Sequence, residues 1–120
     1  MRTETAKRLL DALSATREIQ DFVEGRSLDD YLNDRKLQLP VERLLEIVGE
    51  ALNIAVRLDA NLVDSITDLR RFVDLRNRII HAYDSVDGVI VWNIVERYVP
   101  LLIIEIEHYL DHLGNFSKDG

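Results

Sequence analysis

With 120 residues, 47% of them apolar and 31% charged, the chain has the length and balance of one globular domain that buries roughly two-thirds of its unfolded surface. The absence of cysteine excludes a disulfide framework, a thiolate metal site and a cysteine nucleophile. A net charge of −7 argues against broad affinity for nucleic acid, because phosphate binding draws on clustered Lys and Arg, so any such site has to be local.

The amino terminus, Met1 to Leu10, carries scattered charges and no apolar core of the kind a signal peptide needs. From Thr3 to about Val23 the residues Ala6, Leu9, Leu10, Leu13, Ile19, Phe22 and Val23 follow helical spacing, with Gly25 as a stop. Ser27, followed three residues later by Asp30, predicts a capped short second helix to about Asn33. Pro40 suits the first turn of a third helix, whose apolar stripe is Val41, Leu44, Leu45, Val48, Leu52, Ala55 and Leu58. Ile47, Ile54 and Val56 widen that stripe, which makes this helix the central one.

Ser65 with Asp68 repeats the capping pattern and predicts a fourth helix running to about Tyr83, before the polar turn at residues 84–88. Asp87 can cap a fifth helical stretch from Gly88 to about His112, with a kink or break at Pro100, whose ring forbids the bond to the preceding turn. The segment around Val99 to Ile106 is apolar on nearly every side, more than one core face requires, which points to a second buried surface such as a subunit interface. The longest apolar run, Tyr98 to Ile104, falls far short of the about 20 residues that span a bilayer. The expectation is therefore an all-α protein, soluble and cytoplasmic with no membrane contact, having one domain over residues 1–113 and a flexible tail over 114–120.

The chemistry concentrates between Arg70 and Asp84. Four of the fifteen basic residues, Arg70, Arg71, Arg76 and Arg78, fall between Arg70 and Arg78, opposed there only by Asp74, so an acidic chain carries one basic cluster able to hold a phosphate. At about 100° per residue, Leu69, Val73, Ile80 and Tyr83 fall within about 60° of Arg76, which places the arginine inside the core stripe. An arginine there has to meet a carboxylate, a phosphate or a solvent-filled interface groove. Asn77, Arg70, His81 and Asp74 form a polar strip beside it, and His81 lies about 140° from Arg76, so one helix cannot aim both at one atom.

Two copies of the helix about a twofold axis can, because the interface is self-complementary and supplies two histidines. Cleavage of RNA by its own 2′-hydroxyl needs one group to take that proton and another to protonate the leaving 5′-oxygen, roles that two imidazoles can share. Arginine can hold the phosphorane by charge-assisted bonds without a metal.

Arg76, four intervening residues, His81, Ala82 and Tyr83, with Asn77 directly after the arginine, match the Arg-x4-His-x-Tyr signature of HEPN ribonucleases of the HepT type. Ile47 to Ala51 looks like the Gly-Glu-Ala element of the HepT third helix, and Val86 to Trp92 followed by Pro100 to Leu102 looks like its closing segment. The resemblance covers nearly the whole chain. It implies an antiparallel four- or five-helix HEPN bundle acting as a homodimer or a higher even oligomer, with no cofactor and no metal. It further implies an RNA substrate cut at a dimer-interface cleft by Arg76, Asn77 and His81, with Glu50, Arg70 and Asp74 in support. Tyr83 would receive AMP from a separate MntA-type nucleotidyltransferase antitoxin, the added charge and bulk blocking an anion-binding cleft.

Structural readings stand beside these. His81 can simply complement a helix carboxyl end, Tyr83 can be a core aromatic, and Arg76 can pair internally with Glu50. Gly49 reads as a close-packing point and Trp92 as core. Glu105 and His108, with His112 a turn later, make one Glu-x-x-His pair where a dimetal bundle site needs two. The alternative function is a non-catalytic HEPN dimer that binds a small nucleotidyltransferase or a nucleotide.

Overall fold

A computed structural model of the chain describes residues 2–82 and 86–119, which form α1 (Arg2–Val23), α2 (Leu28–Leu32), α3 (Arg35–Leu58), α4 (Leu62–Ser65), α5 (Leu69–His81), α6 (Gly88–Arg97) and α7 (Val99–Asp119). Among the described residues there is no strand. The architecture is all-α, with α3 central: it packs along α1 on one side and α5 on the other, while α7 rests on α1 and α6, and α6 also meets α2. Leu9 and Ile19 of α1, Val41, Leu45 and Leu52 of α3, Leu69 and Phe72 of α5, and Leu102 and Ile106 of α7 are all at most 2% exposed. Full burial stabilises by about 1.5–3 kcal/mol for each Val, Leu, Ile or Phe side chain.

Local caps account for the early boundaries. Gly25 takes φ +74°, the left-handed conformation that ends α1. Ser27 accepts a bond from the Asp30 amide while its own amide donates to Asp30 Oδ2 at 2.9 Å. This closed box starts α2 and holds the Asp30 carboxyl below the usual carboxylate range, chiefly through the Ser27 amide. Tyr31 is buried, its ring centroid 5.5 Å from that of Trp92, and burial pushes its phenol pKa up.

The third helix starts five residues earlier than Pro40 suggests. Asp34 caps it, accepting from the amides of Lys36 and Leu37 at 3.0 and 3.3 Å, and Gln38 donates to the Tyr31 carbonyl at 2.8 Å. Pro40 then sits inside the helix, where the ring forfeits one bond to the preceding turn.

The expected Ser65–Asp68 cap does not form. Ser65 ends the single turn of α4, which is drawn inward by buried Leu62 and Ile66, and Asp68 makes no capping bond at the start of α5. The amide and hydroxyl of Thr67 are met instead from α7, where Glu105 accepts at 3.1 and 2.8 Å. The fifth predicted stretch does break, at Tyr98, because Pro100 has no amide hydrogen to continue the ladder. The surplus apolar face of α7 is real: Leu102, Ile103 and Ile106 are buried, while Ile104 and Leu101, three residues before it, are exposed.

Candidate functional site

The fifth helix turns its buried face differently from the expectation. Leu69, Phe72, Leu75 and Ile79 are buried, Val73 is half-buried and Ile80 is 43% exposed. The centre of that face lies about 50° round the helix from Arg76, so Arg76 occupies the border of the core rather than its middle. The side chain keeps 26% of its surface open. The reason is the partner helix: α5 is drawn toward α3 along Phe72, Leu75 and Ile79, and the Arg76 stem is laid along the edge of that contact.

Gly49 makes this seat possible. A β-carbon there would overlap the Arg76 Cβ and stand 2.8 Å from the Phe72 carbonyl oxygen and 2.9 Å from the Arg76 Cγ. With only hydrogen at Gly49, the Arg76 stem crosses α3 at backbone distance and its head emerges beside the next residue, Glu50. The Arg76 Nη2 lies 2.5 Å from Glu50 Oε2, and Nη1 donates to Asn77 Oδ1 at 2.9 Å. A guanidinium has five N–H donors, so these two bonds fix its plane and leave others for a further acceptor. The expected internal partner, Glu50, is therefore in contact with Arg76 within one chain.

Arg76, Glu50 and Ile80 line a groove of about 420 Å³ between α1, α3 and α5. Three arginines border it, Arg8, Arg43 and Arg76, against four acids, Asp11, Glu18, Glu46 and Glu50. Each of these arginines has an ion-pair partner, Arg8 with Glu4, Arg43 with Glu46 and Arg76 with Glu50. The groove therefore keeps an acidic excess, with Asp11 and Glu18 in its lining beyond the paired Glu46 and Glu50.

His81 is the last residue of α5 and is exposed, and it makes no hydrogen bond or ion pair among the described residues. Arg70 and Asp74 are exposed on the same outer strip. Within one chain the structure thus joins Arg76, Asn77 and Glu50, and leaves His81, Arg70 and Asp74 on a different side of the helix. Tyr83 lies outside the described residues. Glu105, half of the Glu-x-x-His pair, has both carboxylate oxygens engaged by Thr67, while His108 is exposed. Among the described residues no three His, Cys, Asp or Glu side chains gather into a group able to hold a metal ion.

In sequence the arginines of α5 form a single cluster. The structure divides them, placing Arg71 and Arg78 in a second groove against α6. The signal that could have separated them is angular, since Arg71 and Arg78 are seven residues apart and share a side, while Arg76 is about 160° from Arg78.

A family model described as ribonuclease HepT-like matches residues 12–109 of this chain. A protein of Methanocaldococcus jannaschii named as a candidate RNase is 33% identical over 114 residues, covering 93% of this chain and 92% of its own length. A protein of Thermococcus cleftensis, named "Probable ribonuclease HepT", is 33% identical over 94 residues, or 78% of this chain and 84% of that one. The "tRNA nuclease HepT" of Aphanizomenon flos-aquae is 28% identical over 113 residues, covering 72% and 77%.

Proposed function

The chain belongs to the HepT-like ribonuclease family, and from that premise we propose that it is a metal-independent endoribonuclease toxin that works as a homodimer. The observation that carries this reading is Arg76: a guanidinium on the border of the core, fixed by Gly49, Glu50 and Asn77, with N–H donors to spare. His81, exposed and without a hydrogen bond or ion pair among the described residues, completes the signature five residues on. In the dimer, Arg76 and Asn77 of one protomer would face His81 of its partner. Exposed Ile80, one turn beyond Arg76, supplies apolar surface for such a contact.

One neutral imidazole takes the proton of the RNA 2′-hydroxyl, whose oxygen attacks the adjacent phosphorus. The other, protonated, gives its proton to the departing 5′-oxygen, leaving a 2′,3′-cyclic phosphate and a 5′-hydroxyl. Arg76 bonds the oxyanions of the phosphorane, with Asn77 and Glu50 holding its plane. Arg70 and Asp74 supply supporting charge along the strip.

In this reading a separate nucleotidyltransferase antitoxin silences the enzyme by placing AMP on Tyr83, two residues beyond His81, where a phosphate group would compete for the arginine. After co-expression with an active partner of that type, mass spectrometry of the peptide bearing Tyr83 should show one or more added AMP units. An unmodified peptide would remove this part of the reading.

The decisive assay is RNA cleavage in the presence of EDTA. The parent should cut and His81→Ala should be slower by roughly a hundred- to ten-thousand-fold; equal rates would end the catalytic assignment. The ion pair of Arg76 with Glu50 favours a second reading, in which the signature serves packing and the protein is a non-catalytic dimer that binds a nucleotidyltransferase or nucleotide. That reading expects no cleavage by the parent under any condition.

A further inference from the structure

The second groove lies between α5 and α6, has a volume of about 380 Å³, and is lined by Arg71, Asp74, Leu75, Arg78, Ile90 and Ile94. Its balance is two cations to one anion, the reverse of a chain with 15 basic and 22 acidic residues. We propose that this groove is a phosphate-binding track for single-stranded RNA, in which Arg71 and Arg78 hold the backbone on either flank of Asp74.

The two arginines are prepared differently. The Arg71 guanidinium carbon stands 4.0 Å from the centroid of the Tyr98 ring, and its Nε lies 3.3 Å from Asp68 Oδ1. Its side chain is thereby held in one orientation while its outer nitrogens remain open. Arg78 is exposed and makes no hydrogen bond or ion pair among the described residues, so its donors face the groove mouth without a bonded partner there. Seven residues of helix separate the two by about 10 Å along the axis, a span that a strand crosses with more than one phosphate. Leu75, Ile90 and Ile94 form an apolar floor between them against which a ribose or base can rest.

Position relative to His81 identifies the occupant. On the helix wheel Arg78 lies about 60° and Arg71 about 80° from His81, whereas Arg76 is about 140° away. Within one chain the histidine shares its side with these two arginines and not with Arg76. A strand whose scissile bond sits at His81 runs directly onto Arg78, one turn back along α5. The choice of RNA rests on the nuclease reading, but the site can be tested by binding alone.

The test uses the full-length His81→Ala protein and a short fluorescent oligouridylate, titrated at several salt concentrations. Adding Arg78→Ala should weaken binding and make the plot of log affinity against log salt shallower by about 0.7, the loss of one phosphate contact on a single strand. Adding Asp74→Asn should tighten binding several-fold, a gain that damage to the fold cannot imitate. An unchanged slope with Arg78→Ala overturns the proposal. So does a change in the mass of the assembly in solution on Arg78→Glu with the slope intact, which would make this face a contact between copies. If the parent cleaves RNA and the slope does not change, the track fails and the nuclease reading survives. If the slope changes and the parent never cleaves, the reverse holds.

Discussion

On the α3 side of α5, Arg76 lies with its stem across Gly49 and its head on Glu50 and Asn77. On the α6 side, two residues further along the chain, Arg78 stands in the open with no partner among the described residues. The same side chain on the same helix has its orientation set by the protein in one case and left to solvent in the other. An oriented arginine has already lost most of its rotamer freedom, about 2 kcal/mol worth, before a phosphate arrives, whereas an unpartnered one offers its full charge at long range. The first kind suits the reacting group and the second suits capture of a strand.

The largest effect expected from that contrast is on cleavage. Arg76→Ala should slow RNA cutting by roughly a hundred- to a thousand-fold, the usual loss when one oxyanion donor is removed, and Arg76→Lys should not restore it because a point charge lacks the planar fork. Rates within a few-fold of the parent for either variant would break the assignment of the two sides. Gly49→Ala comes next. Overpacking at backbone distance costs up to about 3 kcal/mol, and the gain of helix propensity returns about 1 kcal/mol, so urea unfolding should report a loss of about 2 kcal/mol. Unchanged stability would show that α3 and α5 can part without penalty.

Glu50→Gln should move stability by less than about 1 kcal/mol, since the pair is half open to solvent. It keeps an acceptor for the guanidinium, and cleavage should fall less than with Arg76→Ala; a larger fall would show that the negative charge itself is needed. The smallest change is expected from Arg78→Ala, within about 0.5 kcal/mol in the same unfolding experiment. A greater loss would mean that this arginine is structurally engaged after all.

Legibility in the sequence followed the range of the interactions. The ends of α1 and the start of α2 depend on Gly25, Ser27 and Asp30, whose bonds reach three residues at most, and they can be read from spacing. The break before Pro100 is equally local. The start of α3 is local too, since Asp34 is a cap residue and Leu37, four residues before Val41, extends the apolar stripe backwards; the weight placed on Pro40 as a first-turn residue hides it. Thr67, in the link between α4 and α5, is met by Glu105, 38 residues away in sequence, and no local pattern contains that contact. The same holds for the site. The pairing of Arg76 with Glu50 was available as an alternative, but the rotation of α5 that puts Arg76 at the border follows from how Phe72 and Ile79 seat on α3. The division of the basic cluster into two sides, by contrast, needs only the helix wheel and is legible in the sequence.

The missing β-carbon at Gly49 also sets what can and cannot move. With the Phe72 carbonyl and the Arg76 stem resting on bare backbone, neither helix can slide past the other without meeting a side chain on the adjacent turn. Any adjustment of the Arg76 head therefore has to come from torsions beyond its Cγ. A ligand or modification acting on it can swing the guanidinium, but the helix beneath stays anchored, so the response is fast, local and reversible instead of a rearrangement of the bundle.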